Sequence, residues 1–221
     1  MKPISQWLLN LFLQSSCPLC DRPAGELLCR YCQQQLQTCE LKNCQEFWTG
    51  DLPLFSWSIY QGRVKQAIAA LKYKNHPELA RPLGTLLGNA WRQSAPLGGI
   101  KDKCIVVPIP MHRDKQKQRG FNQAELLAQS FCRISGQELR SHALSRTKET
   151  KAQFSLSAQE REQNLSAAFQ LGKEGQHLKY PVLLLDDIYT TGATARAAKL
   201  VLQQSGIKVV GIIALATTKK N

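Results

Sequence analysis

The residues of this chain best suited to chemistry are two adjacent carboxylates followed by a run of hydroxyls, Asp186-Asp187-Ile-Tyr-Thr190-Thr191-Gly192-Ala193-Thr194. An ionised aspartate only accepts hydrogen bonds. Asp186 and Asp187 would therefore repel a phosphate, but they suit sugar hydroxyls or the water shell of a hard cation. The residues after them have the opposite preference. Threonine hydroxyls and the free N–H groups of a helix start cradle an anion, and Gly192 lets the backbone approach it closely. An acid pair beside a phosphate cradle describes a site for a ribose 5-phosphate. Helix capping by itself needs one side-chain acceptor, not an Asp pair followed by Thr-Thr-Gly-x-Thr.

Two further groups carry chemistry. Cys17-Pro-Leu-Cys20 and Cys29-Arg-Tyr-Cys32 form two knuckles eight residues apart, each able to offer two thiolates to one tetrahedral ion. Four thiolates point to structural zinc, which would fold a segment too small to build its own core. The competing reading is a pair of redox Cys-x-x-Cys motifs. Cys39 and Cys44 find no further ligands nearby and stay unassigned, while Cys104 and Cys132 fall in apolar patterns as small core residues. The second group is the basic segment between Met111 and Asn122. It holds Arg113, Lys115, Lys117 and Arg119, with Gly120 and Asn122 suited to an unusual turn before a helix.

The elements that must position these groups are legible as periodicities. Val182 to Leu185 is a continuous apolar run, as in a parallel strand covered on both faces, and Ala197, Ala198, Val201 and Leu202 continue at helical spacing. The loop from Asp186 to Thr194 thus sits at a strand's carboxyl end and a helix's N-terminus, where open α/β sheets bind ligands. Cys104 to Pro110 reads as another strand, and Gln123 to Ile134 as its helix, with Met111 to Asn122 a loop between them. Residues 51–62 predict a strand. Val64, Ala67, Ile68 and Leu71 predict a helix ending in Lys72-Tyr73-Lys74, cations read as complementing the helix dipole rather than as phosphate or DNA contacts. Leu79 to Ala90 predicts another helix, Pro96 to Gly99 a loop, and Lys208 to Ala216 a final strand. Residues 144–170 are polar and lack a core-forming period, as in a mobile cover over a site, with a capping box at Ser157 to Glu160. The repeated strand-helix order favours a mostly parallel sheet with right-handed crossovers.

Composition sets the bounds. The chain has 221 residues, room for one α/β domain and a small appendage, so the expected division is 1–50 and 51–221. Twenty-nine Lys and Arg against sixteen Asp and Glu give a net charge of +13, which favours phosphate-bearing partners. Eight cysteines, four of them in Cys-x-x-Cys pairs, suit a reduced compartment and a metal better than a disulfide framework, so the cytoplasm is expected. Trp7 to Leu13 is too short to span a bilayer and reads as an amphipathic helix with Ile4, Leu8, Leu11 and Phe12 on one face, so no integral membrane protein is expected.

Leu-Leu-Leu-Asp-Asp-Ile-Tyr-Thr-Thr-Gly-Ala-Thr resembles the phosphoribosyl pyrophosphate (PRPP) loop of type I phosphoribosyltransferases, in which two acids contact the ribose hydroxyls and the Thr-Thr-Gly-x-Thr segment holds the 5-phosphate. Arg119-Gly120-Phe121 is similar to the pyrophosphate loop of adenine phosphoribosyltransferases. The ordered set of cysteine knuckles, Val107-Pro-Ile-Pro, Arg119-Gly-Phe-Asn-Gln, Arg146, Gln153, Leu156-Ser, Arg161, Asn164 and the Asp-Asp loop resembles the ComF family over most of residues 17–217. The resemblance implies an N-terminal zinc ribbon on a type I phosphoribosyltransferase-like α/β domain. It also implies action in natural competence on incoming single-stranded DNA, with a helicase and recombination proteins as partners. Thr190, Thr191, Gly192, Ala193, Thr194 and Gly120 would bind PRPP as its Mg2+ complex, Asp186, Asp187 and Arg119 would act on it, and Arg113, Lys115 and Lys117 would contact DNA. The alternative it leaves open is an active phosphoribosyltransferase of nucleotide salvage, transferring phosphoribosyl to an unknown acceptor with release of pyrophosphate.

Overall fold

The computed structural model describes residues 16–94, 103–147 and 168–219. The expected amphipathic helix at Ile4 to Phe12, the 96–99 loop and the segment with Gln153, Leu156, the Ser157 capping box, Arg161 and Asn164 lie outside them. Among the described residues the strands are β1 (Leu54–Ile59), β2 (Ile105–Pro108), β3 (Glu138–Leu139), β4 (Leu144–Arg146), β5 (Phe169–Leu171), β6 (Val182–Tyr189) and β7 (Val209–Thr217). The helices are α1 (Arg30–Gln37), α2 (Gly62–Tyr73), α3 (Ala80–Ser94), α4 (Arg113–Arg119), α5 (Gln123–Ser135) and α6 (Ala193–Gln204).

A five-stranded sheet runs in the order β1-β7-β6-β2-β3, and every pairing in it is parallel. Both faces are covered, which is why β6 up to Leu185 and β7 read as apolar runs rather than alternating ones. One buried cluster joins α2, α3 and α5 to Leu183, Leu185, Ile213 and Leu215; the other joins α6 to Val182, Leu184, Ile212 and Ala214. The first face is set by close helix packing. A Cβ on Gly84 of α3 would stand 2.6 Å from the Leu127 carbonyl oxygen of α5, so the absence of a side chain there lets the two helices meet. Around that contact Trp91 meets Phe55 and Phe131 edge to face, with ring centroids 5.0 and 6.0 Å apart.

The cysteine module shares this core. Cys17, Leu28, Cys32 and Leu36 lie in the same buried cluster as Trp57, Val64 and Ile68. Arg63 of α2 donates to Gln35 Oε1 from both Nε (3.0 Å) and Nη2 (2.6 Å), fastening α1 to the α/β body.

Three sequence expectations are corrected. β6 does not stop at Leu185: Asp186, Ile188 and Tyr189 pair with Ala214, Ala216 and Thr217 of β7, so both aspartates lie within a strand rather than in a loop. The apolar run ends there, but the hydrogen-bond ladder continues along the nine-residue β7. The basic loop contains a helix, α4, bounded by a His112 side chain that accepts from the Asp114 N–H and by Gly120 in the left-handed conformation at φ 86°. None of its residues is buried, so it carries no apolar period to betray it; its signals are Asp114 in the first turn and Lys117 and Arg119 in the last. Finally, the ends of the polar 144–170 segment, for which no strand was expected, hold β4 and β5, which pair as an antiparallel ribbon.

Candidate functional site

Successive residues of a strand face opposite sides of the sheet, and β6 uses this to separate its two carboxylates. Asp186 is half-buried on the α6 side. There it lines a cavity of about 30 Å³ with Tyr189, Thr190, Gly192, Thr194 and Ala195, room for little more than one water. Its Oδ1 accepts the Asp187 N–H at 2.8 Å. Burial, and then the neighbouring Asp187 charge, push the Asp186 carboxyl well above the usual carboxylate range.

Gly192 begins α6 at φ 77°, a conformation that disfavours other residues. A Cβ there would also stand 2.1 Å from the Tyr189 hydroxyl, so the tight turn that aims the first N–H groups of α6 at the cavity is a glycine turn on two grounds. Arg196 Nη1 donates to the Thr191 carbonyl at 3.0 Å and pins the loop. Thr190 and Thr191 are exposed, as a phosphate cradle requires.

Asp187 faces the other way and is buried at 3% exposure. Lys72 from the end of α2 forms an ion pair with its Oδ2, which meets no other donor among the described residues. Gln123 at the start of α5 donates from Nε2 to Oδ1 at 3.0 Å, and its own Oε1 accepts from Arg119 Nη1 at 2.6 Å. The Arg119 guanidinium lies 5.6 Å from the centre of the Tyr73 ring, which is 75% exposed. The sequence reading missed Lys72 and Gln123. Lys72 does lie in the last turn of α2, as the dipole reading expected, and it is in addition paired with a carboxylate.

Of the expected site residues the structure brings together Asp186, Thr190, Gly192, Ala193 and Thr194 around one cavity, and it ties Asp187 to Arg119 through Gln123. Gly120 closes α4 directly after Arg119, while Arg113, Lys115 and Lys117 lie on the exposed surface of α4 away from the cavity.

The four cysteines converge as expected. The Sγ atoms of Cys17, Cys20, Cys29 and Cys32 lie within 4.8 Å of one another, and those of Cys20 and Cys29 are 3.5 Å apart. A tetrahedral zinc with bonds of about 2.3 Å places its sulfurs ~3.8 Å apart, so the donor set fits a structural metal ion such as zinc. The Cys32 N–H favours the Cys29 thiolate, lowering that thiol to about 7. Cys39 and Cys44 form no second site among the described residues: their thiols donate to the carbonyls of Gln35 (3.1 Å) and Leu41 (3.7 Å), and burial pushes Cys44 up to about 12. A wider open groove of about 710 Å³ runs along this module past Arg22, Arg30 and Tyr31, sharing no residue with the acid and phosphate cradle.

No family model matches the sequence. The chain is 30% identical over 206 residues to the DNA utilization protein YhgH of Salmonella typhi, covering 92% of this chain and 85% of that one. The chain belongs to the ComF family. It is also 33% identical over 150 residues to Competence protein F of Haemophilus influenzae, covering 67% of this chain and 66% of that protein, and 27% identical to Competence protein ComFC of Bacillus subtilis over 86% and 72%. Among solved structures, adenine phosphoribosyltransferases from Thermoanaerobacter pseudethanolicus and Rhodothermus marinus align over 84% and 85% of this ComF chain. The first shares 11% identity at a TM-score of 0.42 over 87% of its own length, the second 14% at 0.38 over 86%. No described helix of the ComF chain is long and apolar enough to cross a membrane.

Proposed function

We propose that this ComF protein binds a ribose 5-phosphate ligand, PRPP as its Mg2+ complex, and handles incoming single-stranded DNA in the cytoplasm during natural competence, with its four-cysteine module held by zinc. The observation that carries the ligand reading is the glycine turn between β6 and α6, which sets Asp186, Thr190 and Thr194 around one cavity at the carboxyl edge of a parallel sheet. Thr190 to Thr194 would take the 5-phosphate through hydroxyls and the N–H groups of α6. Asp186 would accept from a ribose hydroxyl, and Asp187 from a second hydroxyl or a water of the cation. Magnesium, when bound with the ligand, would neutralise diphosphate charge beside the acids. Half-buried Asp186 offers oxygen donors of the type a hard cation takes, and Asp187 offers the same type once the Lys72 or Gln123 contact gives way. DNA contact rests on the exposed cations of α4 and the +13 charge, which act on phosphates without reading sequence.

A second reading, phosphoribosyl transfer with release of pyrophosphate, is favoured by the link from Arg119 through Gln123 to Asp187, which joins the cationic helix end to one of the two acids. The deciding measurement for the ligand is calorimetry with Mg2+-PRPP on the parent and on Asp186→Asn/Asp187→Asn. The double variant keeps hydrogen-bonding capacity but removes two charges, so PRPP binding should weaken by about 2–3 kcal/mol, the scale of a charged hydrogen bond, while single-stranded DNA binding holds or tightens. Normal PRPP binding by the double variant refutes the sugar-phosphate reading. Pyrophosphate release assayed with a panel of nucleobases separates binding from transfer.

A further inference from the structure

The side chains around Asp187 close into a ring. Lys72 contacts Asp187, Asp187 accepts from Gln123, Gln123 accepts from Arg119, Arg119 lies against Tyr73, and Tyr73 is the chain neighbour of Lys72. Both Asp187 oxygens are thus engaged by the protein's own groups, one by an ammonium and one by an amide. A sugar hydroxyl or a cation-bound water on either oxygen displaces the group there, and a ligand using both oxygens displaces Lys72 and Gln123 together. Gln123 holds its orientation because its NH2 faces a carboxylate and its carbonyl faces a guanidinium; the reversed amide would set donor against donor and acceptor against acceptor. Taking Asp187 away from Gln123 therefore removes half of what keeps the amide on Arg119. Lys72, mostly buried, is at the same moment left without its counter-ion and seeks another anion.

We propose that Lys72 and Gln123 are positioning residues that couple the two halves of the site: they hold Asp187 and Arg119 to each other in the ligand-free protein, and a ligand engaging Asp187 frees Lys72 and Arg119 to receive its diphosphate group. The proposal deepens the ribose-phosphate reading and rests on it. It makes Lys72 part of the ligand site, and it makes binding at the acid pair and anion binding at the end of α4 mutually favourable. The two events share one amide, so each lowers the cost of the other.

The test uses the full chain and two probes, inorganic pyrophosphate in the presence of a chelator and Mg2+-PRPP. Gln123→Leu changes no charge, yet it severs Arg119 from Asp187. It should bind metal-free pyrophosphate roughly tenfold more tightly than the parent, the scale of one charge-assisted hydrogen bond no longer competing. Gln123→Met, unbranched and of similar length, replaces it if the leucine variant does not fold. Lys72→Met should weaken Mg2+-PRPP roughly tenfold and leave single-stranded DNA affinity unchanged, and Lys72→Arg should recover most of the loss. A parent that binds Mg2+-PRPP together with Gln123 variants whose pyrophosphate affinity is unchanged or lower overturns the coupling alone. A folded parent that binds no Mg2+-PRPP overturns the coupling and the ribose-phosphate reading together.

Discussion

Replacing Lys72 by methionine is the most informative stability experiment this site offers. The ion pair is nearly out of water, with side-chain exposures of 15% for Lys72 and 4% for Asp187. Methionine keeps the aliphatic stem but leaves the Asp187 carboxylate buried beside a thioether. Removing one partner of such a pair costs about 3–5 kcal/mol, and the surviving Gln123 N–H to Oδ1 places the expectation near the lower end, ~3 kcal/mol. In a chain of 221 residues each kcal/mol moves the midpoint by roughly 2–4 °C, so Tm should fall by about 6–12 °C. Adding Asp187→Asn should return most of the loss, because an amide tolerates burial without a counter-ion. Thermal and urea unfolding followed by circular dichroism at neutral pH measures both effects. A loss under about 1 kcal/mol, or a larger loss with no recovery in the double variant, would refute a buried, committed pair.

Three further expectations follow from the same geometry. Purified protein should carry about one zinc, and Cys29→Ser should lower the metal content and unfold the cysteine module; metal analysis with limited proteolysis reads this, and a metal-free parent with an unaltered cleavage pattern contradicts it. Asp186→Asn should stabilise the ligand-free protein at about pH 8. The folded carboxyl titrates above its unfolded value, so parent stability is fullest below the unfolded value near pH 4 and falls as pH rises toward the elevated one; unfolding curves that differ equally at about pH 4 and pH 8 contradict this. Changing Arg113, Lys115, Lys117 and Arg119 together to glutamine should flatten the slope of log affinity for single-stranded DNA against log salt, and an unchanged slope places the DNA path elsewhere on the surface.

Short-range chemistry made much of the protein readable before folding. Two Cys-x-x-Cys pairs have few uses in a reduced chain, and their sulfurs do converge. The apolar runs at Val182 and Lys208 predict buried parallel strands because a strand covered on both faces cannot alternate. Asp186, Gly192 and Thr194 meet at one cavity because a strand end and a helix start are joined by a few residues, leaving little freedom to place them otherwise. The tertiary structure decided what lies far apart in the chain. Lys72 at a helix end looks the same in sequence whether it serves the helix dipole or a carboxylate on another element. Gln123 and Asp187 stand 64 residues apart and meet only because α5 packs on the face of β6 that Asp187 occupies. The division of labour between the two aspartates was equally out of reach, since it depends on β6 continuing as a strand past its apolar run, and the partner that extends it, β7, comes later in the chain. A pair that reads as one acidic feature thus becomes two groups on opposite faces, one lining the cavity at the start of α6 and one held by a lysine, because the pleat turns neighbouring side chains away from each other.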